Sequence, residues 1–238
     1  MKRFIVTGGS KGIGFSTAKL LVAQGRKVVI VARTPPAEAI DAEFVVADLS
    51  KEAEISRAIG EIASTGGVDG IVNNIGITRA ETLETMSWSE LTRVMEINVR
   101  PAVLFTQAAI EGMKARRWGR IINISTMLIA GSPNRSSYAA AKSVLASFTR
   151  SWALECAEHG ITVNAVCPGA TETELFRTNN PRGSVGELKY TQNSPMKRLA
   201  HPDEIASAVT FFASDLASFT TGQILFVDGG AMVGRSFF

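Results

Sequence analysis

Seven short apolar runs divide the chain: Phe4 to Thr7, Lys27 to Ala32, Glu43 to Ala47, Gly70 to Asn73, Gly119 to Ile124, Ile161 to Cys167 and Ile224 to Val227. Lys27 to Ala32 carries no polar alternation, the pattern of a strand covered on both faces of a parallel sheet. Between the runs, apolar residues recur at helical spacing over Phe15 to Gln24, Ser87 to Arg116, Tyr138 to about His159 and Pro202 to about Ala213. Asp203 and Glu204 suit the first turn of the last of these. Prolines mark where the pattern bends. Pro35-Pro36 leaves room for only an abbreviated crossover helix, and Pro101 clashes with the Ile97 carbonyl, which places Asn98 beside a distorted turn. From about 174 to 195 the periodicity is lost and Asn, Pro, Gly and Ser accumulate, the signature of a loop or lid over substrate.

At 238 residues the chain is long enough for one sizeable α/β domain, 1–238, without a linker. Its 45% hydrophobic and 20% charged residues fit a soluble globular protein, and no apolar run can span a bilayer. A short apolar stretch after Met-Lys-Arg is too brief for a signal peptide, so a cytoplasmic protein is expected. A net charge of +3 with scattered basic residues speaks against nucleic acid, and Cys156 and Cys167 lack metal-ligand spacing and read as buried thiols. No metal site is expected.

Candidate chemistry gathers where strands end. Thr7-Gly8-Gly9-Ser10-Lys11-Gly12-Ile13-Gly14 follows the first strand and opens a helix, the order a phosphate site needs: glycines admit close backbone approach, and the helix N-terminus adds partial positive charge. About 20 residues further on, an NAD site carries a carboxylate for the ribose. Here Ala32-Arg33-Thr34 offers a guanidinium instead, which suits the 2′-phosphate of NADP, with Lys11 as a second cation. Asp48, after the third strand, either caps the next helix or accepts from an adenine amino group. Asn73-Asn74-Ile75-Gly76 ends the fourth strand, and Asn98 either orders a water or is a buried structural amide. Pro168-Gly169 closes the sixth strand, with Thr171 and Thr173 available to hold a carboxamide. Tyr138 and Lys142 are four apart at the start of a helix and share one face; a neighbouring ammonium favours the phenolate and pulls the tyrosine toward a useful pKa. Ser125, thirteen positions before Tyr138, can donate to the same substrate oxygen, and Thr126 is a rival for that role.

Taken in this order, the motifs resemble the short-chain dehydrogenase/reductase family across nearly the entire chain. The resemblance implies a Rossmann-type doubly wound sheet of about seven parallel strands and the catalytic set Asn98, Ser125, Tyr138 and Lys142. It implies NADP(H) held by Gly8, Ser10, Lys11, Gly12, Ile13, Gly14, Arg33, Asp48, Leu49, Asn74, Gly76, Pro168, Gly169, Thr171 and Thr173, together with Tyr138 and Lys142. It further implies reduction of a ketone, such as a 3-oxoacyl thioester, and a homotetramer or homodimer. The chain departs from the family pattern in two places: Ile75 stands for the usual alanine, and Leu128 for a glycine three places beyond Ser125. Oxidation of an alcohol or sugar, and a cofactor-binding regulator without catalysis, are the alternatives. Arg79, Arg100 and Arg135 are candidates for an acyl-carrier contact, against the simpler reading of solvated surface arginines.

Overall fold

The structure, a computed structural model, describes residues 1–233; the apolar end of the sequence, Phe237-Phe238, lies outside them. Each apolar run forms a strand: β1 (Arg3–Thr7), β2 (Lys27–Ala32), β3 (Glu43–Val46), β4 (Gly70–Asn73), β5 (Gly119–Ile124), β6 (Ile161–Pro168) and β7 (Ile224–Val227). They build one seven-stranded sheet, ordered β3-β2-β1-β4-β5-β6-β7, with every pairing parallel. The helices are α1 (Gly12–Ala23), α2 (Glu52–Thr65), α3 (Trp88–Ala115), α4 (Ser136–Cys156), α5 (Glu174–Asn179), α6 (Val185–Asn193) and α7 (Pro202–Phe212). Ile55, Ala58 and Ile62 of α2, Phe105 and Met113 of α3, and Ala153 of α4 cover one sheet face, with Ile5, Val29 and Ile121 beneath them. Ala18 and Leu21 of α1 and Ile205, Val209 and Phe212 of α7 cover the other, against Phe4, Ile30 and Ile122. Strand order reverses between β1 and β4, so their C-terminal ends border the crevice where such sheets bind ligands.

Two expectations are corrected. Pro101 does not interrupt α3, which is continuous over 28 residues. Val94, Asn98, Pro101, Ala102 and Phe105 are all buried on its inner face, and that packing outweighs one missing ladder bond. The 174–195 segment is two capped helices rather than an irregular loop. Thr173 accepts from Phe176 N at 3.1 Å and Ser184 from Glu187 N at 3.2 Å. Arg177 pairs with Glu172 and, at 2.7 Å, with Glu187, stapling α5 to α6 and to the end of the preceding segment. Phe176 packs edge-on against Tyr190, centroids 5.4 Å apart. By contrast, the stretch between β2 and β3 after Pro35-Pro36 holds no helix, in line with the abbreviation expected there. Among the described residues no helix is long and apolar enough to cross a membrane.

A buried polar chain fixes α4 to the sheet. Asn73 Nδ2 donates to Asn123 Oδ1 (2.8 Å), Asn123 Nδ2 to Thr149 Oγ1 (2.9 Å), and Thr149 Oγ1 to the Leu145 carbonyl (2.8 Å). Asn73, Asn123 and Thr149 are each at most 2% exposed. Replacing Asn123 by Val strands the Asn73 amide in the core, and should lower unfolding stability by about 1–3 kcal/mol; a urea midpoint equal to wild type would show that the chain carries no stability.

Candidate active site

The turn between β1 and α1 is held open by close approaches. Gly8 and Gly12 have φ of +64° and +56°, where a side chain is strained. A Cβ on Gly14 would stand 2.4 Å from Gly8 O and 2.5 Å from Asn74 Nδ2. Asn74 is the bolt: its Nδ2 donates to Thr7 O (3.0 Å) and Gly8 O (3.1 Å), and its backbone N–H to Thr7 Oγ1 (3.0 Å). Its amide donors therefore serve the loop rather than a ligand. The resulting cradle, bare of side chains at a helix N-terminus, fits a pyrophosphate. On the far side, Thr173 Cγ2 lies 3.2 Å from a Cβ built on Gly12, so the capped start of α5 meets the glycine turn. Gly169 packs so tightly on Asp228 that a Cβ would lie 2.7 Å from its Cα, and Thr171 Oγ1 donates to Gly169 O at 3.0 Å.

Lys142 is 2% exposed. Its Nζ donates to Ile124 O (2.9 Å) and Ile75 O (3.1 Å), the ends of β5 and β4. Burial still pulls the ammonium pKa down to about 8. Asn98, 1% exposed, donates through Nδ2 to Val94 O (2.8 Å) and Ile77 O (3.1 Å), which leaves its buried Oδ1 without a protein partner. That oxygen and Lys142 Nζ converge on Gly76, where a Cβ would be 2.8 Å from one and 3.1 Å from the other. Tyr138 is partly exposed at the pocket. Its phenol does not follow the expectation of a lowered pKa: burial pushes it up to about 12, with the nearby Thr126 hydroxyl and Arg135 opposing the rise.

Ser125 is turned away from the place expected for it. Its hydroxyl is 3% exposed and donates to the Lys142 carbonyl at 2.9 Å. Thr126, one residue on, caps the 3-10 turn Met127–Ala130 by accepting from Leu128 N at 3.3 Å. Arg33 is exposed at the end of β2, near enough to Asp48 to help hold that carboxyl below its ordinary pKa. The larger cause is Ser50, whose N–H and hydroxyl both bond Asp48, so Asp48 ties the turn before α2. Leu49 is 2% exposed and belongs to the core, leaving only its backbone for a ligand. Ile13 packs on the opposite core, and Ser10 stays partly open in the turn. Lys11 is not free: it pairs with Glu174 of α5 at 2.5 Å. Cys156 and Cys167 are free and buried. Arg79 pairs with Glu90 (3.7 Å) and Arg100 with Glu96 (2.8 Å), the behaviour of surface arginines. Arg135 donates to the Asn134 and Arg79 carbonyls.

One supporting residue escaped sequence reasoning. Glu81 is 6% exposed, and its Oε1 accepts from Ser137 N at 2.9 Å, capping the turn of α4 that carries Tyr138. Because the cap arrives from 56 residues upstream, no local pattern announces it.

A parallel doubly wound sheet with a glycine-rich turn at its switch point, together with a tyrosine and a buried lysine at the strand ends, defines a dinucleotide-dependent oxidoreductase. The chain belongs to the short-chain dehydrogenase/reductase family. A family model described as enoyl-(acyl carrier protein) reductase matches residues 8–232. The chain is 37% identical over 235 residues to the 3-oxoacyl-[acyl-carrier-protein] reductase of Vibrio cholerae, covering 95% of each. A solved short chain dehydrogenase/reductase family protein superposes with TM-score 0.87 at 36% identity, covering 98% of both chains. A Beutenbergia cavernae structure, provisionally described as an NAD(P)-dependent gluconate 5-dehydrogenase and holding NADP at low occupancy, matches with TM-score 0.92 at 32% identity over 98% of this chain and 97% of that one.

The buried lysine has a consequence for stability. With its pKa at about 8 in the fold and 10.5 as the ordinary value, Lys142 holds its proton less well folded than unfolded between those limits. Protons then favour the unfolded chain, so the destabilisation from this group is fully present below pH 8 and is relieved as pH rises toward 10.5. Tyr138, raised from 10.0 to about 12, works in the opposite sense above pH 10. The stability of wild type relative to Lys142→Met should therefore rise between pH 8 and 10 in chemical denaturation; a flat difference would mean that the ammonium is not penalised by burial.

Proposed function

We propose that this oxidoreductase uses NADPH to reduce a ketone to a secondary alcohol, with a 3-oxoacyl thioester as substrate. One observation carries the reading: Tyr138 stands one helical turn from the buried Lys142, and burial raises its phenol further above neutral pH, so that it is protonated as a proton donor to a carbonyl must be. The substrate class rests on the 37% identity to the Vibrio cholerae reductase over 95% of both chains. Support for NADP over NAD comes from Arg33 after β2, where a ribose-binding carboxylate would otherwise stand, and from Lys11 across the turn. The glycine cradle, the unpartnered Asn98 Oδ1 and the absence of a side chain at Gly76 fit a nicotinamide dinucleotide lying along the strand ends.

When bound, the reduced nicotinamide supplies a hydride to the carbonyl carbon. Tyr138 gives its proton to the carbonyl oxygen, which balances the hydride and yields the alcohol. Lys142, held by two carbonyls, keeps positive charge near the tyrosinate left behind and limits its cost. Asn98 accepts through Oδ1 from a water that returns a proton toward Lys142. The stapled pair α5 and α6 forms the wall over the substrate, and its preset shape excludes water without an ordering cost at each turnover. Exposed Leu225 and Phe226 on the edge strand β7 support self-association.

Purified protein should oxidise NADPH with 3-oxoacyl thioesters and bind NADPH more tightly than NADH; the reverse preference would sink the cofactor assignment. Tyr138→Phe should cut kcat by at least about a hundredfold while NADPH still quenches protein fluorescence. Arg33→Asp should shift the NADPH/NADH preference toward NADH by about tenfold or more, and an unchanged ratio would remove Arg33 from the cofactor site. Oxidation of a sugar acid with no ketone reduction would replace the substrate class.

A further inference from the structure

The irregular stretch 75–81 joins the glycine turn, Asn98, Lys142 and the turn that carries Tyr138. It leaves β4 just after Asn74, whose amide bonds Thr7 O and Gly8 O in the glycine turn. The Ile75 carbonyl then accepts from Lys142 Nζ at 3.1 Å, and the Ile77 carbonyl from Asn98 Nδ2 at 3.1 Å. Its far end lies against the approach to α4. Glu81 N donates to Asn134 O at 3.2 Å, Glu81 and Arg135 form a parallel bridge, and Glu81 Oε1 accepts from Ser137 N at 2.9 Å. One short segment thereby sets the spacing between the lysine, the asparagine and the tyrosine.

Tyr138 needs such a hold more than Lys142 does. From Lys142 onward α4 is anchored: Ser125 Oγ donates to the Lys142 carbonyl, Lys142 Nζ reaches two strand-end carbonyls, and Asn123 holds Thr149. Tyr138 lies one turn ahead of these anchors, among N–H groups that have no partner within the helix. The N-cap residue Arg135 offers no side-chain cap, and Asn134 before it sits at φ +61°, a left-handed conformation that costs a residue with a side chain. Among the described residues, Glu81 is the one side chain that bonds an N–H of this turn. A carboxylate here makes a charge-assisted bond and meets the positive end of the helix dipole. Without it the N–H of Ser137, a fully buried residue, has no acceptor, and the turn tilts or unwinds to reach water. Tyr138 moves with that turn, whereas Lys142 stays.

We propose that Glu81 is a positioning residue for the reaction: by bonding Ser137 N from the segment that also binds Lys142 and Asn98, it fixes where the Tyr138 hydroxyl stands relative to the lysine and the carbonyl to be reduced. The assignment rests on Tyr138 being the proton donor, but not on the thioester, since any ketone reduced with NADPH tests it. Proton transfer is steep in distance, and a displacement of about 1 Å can cost about a hundredfold in rate. Glu81 is 6% exposed, so water does not stand in for its carboxylate.

Two measurements on Glu81→Ala and Glu81→Gln test this, one of them without turnover. In hydrogen exchange on the free protein, Glu81→Ala should speed exchange in the first turn of α4 and leave the helix beyond Lys142 as in wild type. In steady-state kinetics it should lower kcat by about thirtyfold, with KM and NADPH affinity held within about threefold. The solvent deuterium isotope effect on kcat should rise, because proton transfer is the step that slows; a mere loss of folded enzyme leaves that ratio unchanged. Glu81→Gln keeps an acceptor at the same reach and should recover to within about fivefold of wild type. Glu81→Met, which fills the space without an acceptor, keeps the test available if alanine does not fold. Unchanged exchange in the first turn, a kcat within threefold of wild type, or a glutamine variant as slow as alanine overturns the proposal and leaves the reductase reading standing. Full turnover by Tyr138→Phe overturns the proton-donor reading, and with it the role of Glu81 in catalysis.

Discussion

Burying the Lys142 ammonium is the demand around which the site is arranged. A cation at 2% exposure survives only among oxygen atoms, and the nearest are the carbonyls of Ile124 and Ile75. Both lie just where β5 and β4 cease to pair, so their lone pairs are not consumed by the sheet. Parallel strands that end in register make this possible: Asn73 pairs with Asn123 in the last rung of the β4–β5 ladder, one or two residues before the two carbonyls. Gly76 follows from the same demand, because any side chain there would meet Nζ or Asn98 Oδ1. Even so, the oxygens do not restore what water would give, and the pKa falls to about 8. The ammonium stays mostly charged at neutral pH but close enough to its pKa to release and regain a proton.

The tyrosine shows which of two effects wins at such a site. Helical spacing puts Tyr138 and Lys142 on one face, and the attraction of a cation for a phenolate argues for a lowered pKa. Desolvation argues the other way and is larger, leaving the phenol protonated. The two results are consistent with one task. An acid for reduction is wanted in its protonated form, and the cation earns its place after transfer, when the negative charge appears. The Thr126 hydroxyl and Arg135 act in the same direction as that charge, lowering the phenol's pKa.

Much of this arrangement was legible in the residues. Short apolar runs located all seven strands; in the central strands β1, β4, β5 and β6, buried along their whole length, there is no polar alternation to confuse the reading. The glycine turn was legible for a related reason: φ values of +64° and +56° at Gly8 and Gly12, and backbone 2.4 Å from a Cβ on Gly14, leave little choice of residue. What escaped depends on partners distant in sequence. Glu81 caps α4 from 56 residues away, and Arg177 turns a polar, turn-rich segment into two stapled helices by pairing with Glu172 and Glu187. The direction of Ser125 is another case: thirteen residues separate it from Tyr138 across a loop whose length is set by neither residue, and the pleat of β5 sends its hydroxyl to the Lys142 carbonyl. Parity along β5 is the better guide, since strand pleat transmits direction one residue at a time and the loop transmits nothing.

The same distinction between local and distant constraints bears on Lys11. Its place in the glycine turn marks it for a phosphate, yet it is bonded to Glu174 in the first turn of α5. Both side chains are more than 60% exposed, so water screens the pair and little is lost when it opens. Glu174 also keeps a second favourable interaction with Lys11 absent, since it lies at the N-terminal end of its own helix. Arg177 is different in kind: it is about 20% exposed and shared by two carboxylates, so the body of the lid stays assembled whatever Lys11 does. A dianionic phosphate arriving beside Arg33 therefore competes with one exposed carboxylate for one flexible ammonium, and charge alone favours the phosphate. The contact between α5 and the glycine turn can then exchange partners at its edge while the stapled pair α5 and α6 keeps its shape.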